Sequence, residues 1–182
     1  MVTVIDKTEF RKMMKRRRDE LSDEYIVEAS RIIEGRVLAL DAYKRARSIF
    51  VYVSTGKEPS TIGIIKQALS DGKELYIPKC ISKTEMIAVR ITGIDDLVPG
   101  RLGIPEPAAI TETKTANELD LIIVPCIAAS HDGKRLGHGA GYYDRFLESS
   151  SANAICLCFG EMIDPDIPVT EHDVIIPDTI SD

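Results

Sequence analysis

The spacing of apolar positions changes character twice along the chain. Phe10, Met13, Met14, Arg17 and Leu21 recur at the intervals of one helical face. Ser22 has the chemistry of an N-cap, and Asp23 and Glu24 follow where a first turn favours negative charge. Ile26, Ala29, Ile33, Val37 and Leu40 then continue with helical spacing. Residues 7–46 are therefore predicted to form two helices. From residue 48 the period shortens. Residues 48–53 (SIFVYV) read as a buried strand. Ser60 is placed to cap a helix through about Ser70, with Ile62, Ile65 and Leu69 on one face and Asp71-Gly72 ending it. Further strands are predicted at 75–77, 86–91, 121–124, 154–159 and 174–176, the last followed by a tail. Residues 99–107 (PGRLGIPEP) contain three prolines and two glycines and are predicted as loop. Residues 126–141 form a glycine-rich loop that runs into a helix at Tyr142.

Strands that alternate with helices indicate an α/β domain with a mainly parallel sheet and an N-terminal helical pair. The 182 residues suffice for a single domain, 1–182. In open sheets of this class ligands sit beyond the carboxyl ends of the strands, so the loops after Val53, Ile77 and Val124 are where chemistry is sought.

Composition narrows the partners. The net charge is −6, which argues against a nucleic-acid surface. The charge is uneven, however. Residues 1–47 hold 12 Lys and Arg against 9 Asp and Glu, a balance of +3; the remainder hold 11 against 20, a balance of −9. For most of the basic run from Lys12 to Arg18 a solvated helix face is the expected role. Lys7 and Arg11, four residues apart, share a face that can point at one phosphate group. No apolar run is long enough to span a membrane, and the basic N-terminus lacks the apolar region of a secretory signal. The four cysteines lack disulfide or zinc spacing and read as buried thiols of a cytoplasmic protein.

The segment from Pro125 to Leu147 carries the densest chemistry. Gly137, Gly139 and Gly141 alternate ahead of a helix, a pattern that lets backbone N–H groups approach an anion. Arg135 adds a forked cation suited to phosphate oxygens, and Asp144 is placed to hold a divalent cation. On spacing alone, an anion cradle and a tight strand-to-helix turn stand level. The segment is neither a Walker loop nor a dinucleotide-binding fingerprint. Glu58 stands in a polar loop at the end of a strand, where an exposed loop acid and a partner for heterocyclic N–H donors are both open readings.

These pieces together resemble the 5-formyltetrahydrofolate cyclo-ligase family. The resemblance rests on K-x-x-F-R at positions 7–11 with Arg18, and on Tyr52-Val53-Ser54 with Glu58 and Thr61. It continues through Pro78 and the G-I-P-E-P of 103–107. The string R-L-G-H-G-A-G-Y-Y-D-R-F-L over 135–147 follows, and then Ile167-Pro168 and His172-Asp173. It implies a three-layer Rossmann-like fold and an ATP- and Mg2+-dependent closure of 5-formyltetrahydrofolate to 5,10-methenyltetrahydrofolate. It implies that Lys7, Arg11, Arg135, Gly137, His138, Gly139, Ala140, Gly141 and Tyr143 hold ATP, with Arg135 and Lys7 acting in catalysis. It further implies that Glu58, Met86 and Tyr142 meet the reduced folate and that Asp144 and Asp173 hold Mg2+. A monomer with small-molecule partners, and with neither nucleic acid nor membrane, is expected. Ala129 and Ile87 stand where the family commonly has aromatic residues, which points to a reshaped pocket. The alternative is a non-catalytic or re-tasked nucleotide- or pterin-binding relative on the same fold. A phosphosugar isomerase or acyl-CoA enzyme on a related fold would need a catalytic base that has no evident place in the sequence.

Overall fold

The computed structural model describes residues 6–100 and 103–182. Positions 101 and 102 of the expected 99–107 loop lie outside the described residues. The chain opens with helices α1 (Lys7–Asp19), α2 (Asp23–Ala39) and a short α3 (Asp41–Arg45). Asp6 accepts the Thr8 N–H and Ser22 accepts the Tyr25 N–H, so the first two helices are capped by side chains. Three helices stand where two were expected, because the backbone at Leu40 turns extended (φ −61°, ψ 137°). The face predicted for α1 is also narrower than expected. Phe10 and Met14 are buried, while Met13 is 46 % exposed and Arg17 lies on the surface. Each fully buried side chain of this size contributes about 1.5–3 kcal/mol by leaving water.

The centre is a seven-stranded sheet in the order β11-β10-β7-β1-β2-β3-β6. Its strands are β1 (Ser48–Val51), β2 (Glu74–Cys80), β3 (Met86–Ile91), β6 (Thr113–Lys114), β7 (Leu121–Pro125), β10 (Ala154–Leu157) and β11 (Asp178–Ile180). From β11 to β2 all neighbours are parallel; β3 and β6 add on antiparallel. Every residue of β1 and β7 is buried, so both faces of the sheet are covered there. The mainly parallel α/β class is as predicted.

Several boundaries differ for local reasons. Helix α4 (Ile62–Ser70) starts from Thr61 rather than Ser60. The Thr61 hydroxyl is used elsewhere: it donates to the Tyr52 carbonyl at 2.7 Å and accepts the Ser54 N–H at 3.0 Å. Strand β2 runs on through Pro78 to Cys80. Its pairing with β1 ends at Tyr76, so the missing proline N–H costs no bond on that side. The proline-rich segment is a small antiparallel pair, β4 (Leu97–Pro99) with β5 (Pro105–Pro107). The glycine-rich segment likewise contains a pair, β8 (Ala128–Ala129) with β9 (Arg135–Leu136). Residues 174–176 are not a strand; the terminal strand is β11, and the apolar run is spent on the glycine loop, with the Ile176 N–H donating to Gly133 O.

The sheet's lower edge is tied by Asp120. Its Oδ2 accepts the backbone N–H groups of Arg47 and Ser48 and the Ser48 hydroxyl, which fixes the start of β1 against β7. The two N–H groups and the hydroxyl, led by the Ser48 N–H, hold the Asp120 carboxyl below its ordinary pKa against the opposing effect of burial. A pKa depressed on folding contributes stability above the unfolded value of about 3.9, and that contribution fades as pH falls through the folded value. Asp120→Asn is therefore expected to lower the melting temperature at pH 7 by about 2–4 °C. Variant and parent should converge toward pH 2–3, as followed by circular dichroism melts across pH.

Candidate functional site

Strand order reverses between β1 and β7: the chain leaves β1 toward β2 on one side and later builds β7, β10 and β11 on the other. A crevice opens at such a reversal, beyond the carboxyl ends of the strands. Here it is a cavity of about 590 Å³. Tyr52 and Val53 after β1, Pro125 at the end of β7, and Pro78 and Cys80 of β2 form its floor and one wall.

Three cations come to this cavity from distant parts of the chain. Arg11 projects from α1, and its Nε donates to Gly137 O at 2.9 Å. Lys7, one turn earlier, meets both carboxylate oxygens of Asp173 at 2.5 and 2.6 Å. Arg135 on β9 is 6 % exposed; its Nη2 donates to Asp144 Oδ1 at 2.7 Å, and its guanidinium lies 5.9 Å from the Tyr143 ring centre. The carboxylate Asp144 also accepts the Val174 N–H at 3.2 Å, so one atom joins β9, α5 (Tyr142–Leu147) and the C-terminal segment.

The alternating glycines let these side chains and the loop meet. Gly139 (φ +103°) and Gly141 (φ +67°) are in the left-handed region. A Cβ at Gly139 would lie 3.4 Å from Arg11 Cζ, and one at Gly141 only 2.7 Å from Arg145 Nη1. Helix α5 is six residues long, so the positive end expected from a helix dipole is minor here.

The other side of the cavity is acidic and apolar. Glu58 accepts the Thr55 N–H at 2.8 Å and the Thr55 hydroxyl at 3.3 Å on one oxygen, and its other oxygen is 3.1 Å from His138 Nε2. That contact links the loop after β1 to the glycine loop. Met86, Ile104 and Pro78 supply apolar surface. Tyr142 donates its hydroxyl to Ser82 O at 3.0 Å. Burial, then the Glu58 charge, push the Tyr143 phenol well above its ordinary pKa, so it stays neutral. Burial raises the Asp173 carboxyl, but the Lys7 ammonium and the Thr170 N–H and hydroxyl outweigh it and leave the pKa lowered.

The fourteen residues singled out in the sequence, from Lys7 to Asp173, thus all border one cavity. Ala129 and Ile87 do not. Ala129 is wholly buried in β8, and Ile87 borders a neighbouring cavity of about 540 Å³. The sequence reading passed over Glu106 and Thr170, which also border the site. Glu106 lies within the G-I-P-E-P string that carries the family resemblance, in a stretch predicted as loop.

The sequence pattern of the 5-formyltetrahydrofolate cyclo-ligase family matches residues 4–181. The chain belongs to the 5-formyltetrahydrofolate cyclo-ligase family. A probable 5-formyltetrahydrofolate cyclo-ligase of Caenorhabditis elegans is 34 % identical over 96 % of this chain and 91 % of its own. The 5-formyltetrahydrofolate cyclo-ligase of Mus musculus is 30 % identical over 92 % and 89 %. Among solved structures, the 5,10-methenyltetrahydrofolate synthetase of Aquifex aeolicus superposes with a TM-score of 0.83 at 27 % identity, covering 93 % of this chain and 86 % of that one. No helix among the described residues is long and apolar enough to cross a membrane.

Membership of the cyclo-ligase family makes the glycine loop the first place to probe. An alanine at Gly139 must adopt φ +103°. Gly139→Ala is expected to cost about 1–3 kcal/mol of stability, read as a lowered urea midpoint with an unchanged slope.

Proposed function

We propose that this chain closes 5-formyltetrahydrofolate to 5,10-methenyltetrahydrofolate, consuming ATP and releasing ADP and phosphate, in the cavity at the β1–β7 reversal. One observation carries the reading. Lys7, Arg11, Arg135 and the Gly137–Gly141 backbone gather at one cavity that also has apolar and acidic surface. The first group suits a triphosphate, and the second suits a flat heterocycle with N–H donors.

The chemistry explains why no nucleophilic side chain is needed. A formamide carbon is a weak electrophile and its oxygen a poor leaving group. The formyl oxygen attacks the γ-phosphorus, and the bond from that phosphorus to ADP breaks. N10 of the folate then attacks the activated formyl carbon. The carbon–oxygen bond breaks, phosphate leaves with that oxygen, and N10 loses its proton. Phosphoryl transfer of this kind asks for charge neutralisation and alignment. Lys7 and Arg11 supply positive charge from α1, and Arg135 supplies a buried fork. Lys7 is held by Asp173 in the free protein, so a phosphate group exchanges for, or shares, that carboxylate's hold on the ammonium. Tyr143, Ala140 and His138 are assigned to the nucleotide and Met86 and Tyr142 to the folate; all five border the cavity.

For Mg2+, the carboxylates are Asp144 and Asp173. Asp144 Oδ2 has no hydrogen-bond partner among the described residues, and no cluster of three or more metal-binding side chains occurs among them. One or two carboxylates completed by phosphate oxygens and water is how Mg2+ is commonly held beside a nucleotide, so the residues fit. Bound Mg2+ would neutralise phosphate charge.

The test is the appearance of methenyl absorbance from 5-formyltetrahydrofolate, with and without Mg-ATP. Product that requires ATP is expected; folded protein that forms none contradicts the reading. Arg135→Ala is expected to lower ATP-dependent turnover at least about tenfold, since it removes a charge-assisted fork from a water-poor wall. Unchanged turnover would make Arg135 a purely structural residue.

A further inference from the structure

One arginine of α5 joins the glycine loop to the turn between β2 and β3. Arg145 is exposed and directly follows Asp144 in the helix. Its Nη2 donates to Ala140 O in the glycine loop at 2.5 Å, and its Nε donates to Thr84 O in the turn at 2.5 Å. No hydrogen bond or ion pair joins it to a carboxylate among the described residues, so its charge is spent on two backbone carbonyls. Its guanidinium lies 5.7 Å from the Tyr142 ring centre, and the Tyr142 hydroxyl reaches the same turn at Ser82 O. Gly141 leaves the side chain its path: a Cβ there would lie 2.7 Å from Arg145 Nη1.

The turn that Arg145 grips is organised from within. The Ser82 hydroxyl accepts the Thr84 N–H at 3.2 Å and the Glu85 N–H at 3.0 Å, and the Ile81 N–H donates to Glu85 O at 3.0 Å. At its two feet Cys80 and Met86 are paired in the β2–β3 ladder, and both border the cavity. The glycine loop borders the same cavity from Gly137 to Gly141. A guanidinium is a rigid, planar fork of donors, so one side chain holds these two parts of the wall at a fixed separation.

We propose that Arg145 is a positioning residue that couples the nucleotide and folate sides of the cavity, so that each ligand binds more tightly when the other is present. The inference rests on the ATP and folate reading above. A nucleotide that orders the glycine loop fixes Ala140 O. Through Arg145 it also fixes the 81–85 turn and the wall formed by Cys80 and Met86. The folate then meets a wall that is already ordered, and less conformational freedom remains to be lost on binding. The reverse holds equally, because coupling between two binding equilibria is reciprocal. The complex favoured in this way is the one in which phosphoryl donor and acceptor are both in place.

Titration calorimetry tests it. The affinity of a non-hydrolysable ATP analogue with Mg2+ is measured with and without saturating 5-formyltetrahydrofolate, for the parent, Arg145→Ala and Arg145→Gln proteins. In the parent, the folate is expected to tighten analogue binding at least about fivefold. In Arg145→Ala that factor should fall to about twofold or less, because the bridge is gone. Arg145→Gln is shorter and neutral and cannot span both carbonyls; it should show the same fall, and it guards against a misfolded alanine variant. A residue that merely stabilises the turn would lower the urea midpoint when replaced and leave the factor unchanged. A factor that persists in both variants therefore overturns the inference. Parent protein that forms methenyl product yet binds the two ligands independently sinks the coupling alone. Parent protein that neither binds nor converts the folate sinks the folate reading, and the coupling with it.

Discussion

The ion pair between Arg135 and Asp144 is the interaction on which the site's geometry hangs. One oxygen of Asp144 receives Arg135 from β9 and the Val174 N–H from the C-terminal segment, and Asp144 itself sits in the first turn of α5. Three stretches that are remote in sequence are therefore located relative to one carboxylate. With the Arg135 side chain only 4 % exposed, losing Asp144 would strand a buried charge. The pair thus fixes the glycine loop in place and keeps a cation at the cavity wall.

The remaining positive charge reaches the cavity through a different device. Phe10 and Met14 bury one stripe of α1, and this orients Lys7 and Arg11 toward the loop. Arg11 closes on the Gly137 carbonyl, and Gly139 leaves room beside it. An acidic protein of net charge −6 in this way brings three cations to one crevice, two of them paired with its carboxylates. The opposite side needs fewer charges. A flat heterocycle is selected by apolar walls and by acceptors placed where its N–H donors fall.

Much of this was legible in the sequence. The mainly parallel α/β class followed from periodicity, and the cavity residues from Lys7 to Asp173 followed from the family resemblance. What was misread has local causes. Met13 matched the helical period but faces solvent, because α1 is held by a two-residue stripe rather than a broad face. Ser60 looks like a cap, but the helix starts from Thr61, whose hydroxyl is spent on the Tyr52 carbonyl just beyond β1. Residues 174–176 have strand composition, yet their backbone is drawn to Gly133 and Asp144. Glu106 stands in the string that carries the family resemblance, but its place at the cavity is set by the pairing of β5 with β4, which a proline-rich stretch does not announce.

In the proposed reaction the cavity activates the formyl oxygen by moving a phosphoryl group onto it. The most direct measurement supplies 5-formyltetrahydrofolate labelled with 18O in the formyl carbonyl, with Mg-ATP, and analyses the released phosphate by mass spectrometry. One 18O in each phosphate formed is the expected result. Unlabelled phosphate accompanying full conversion to methenyl product would contradict it.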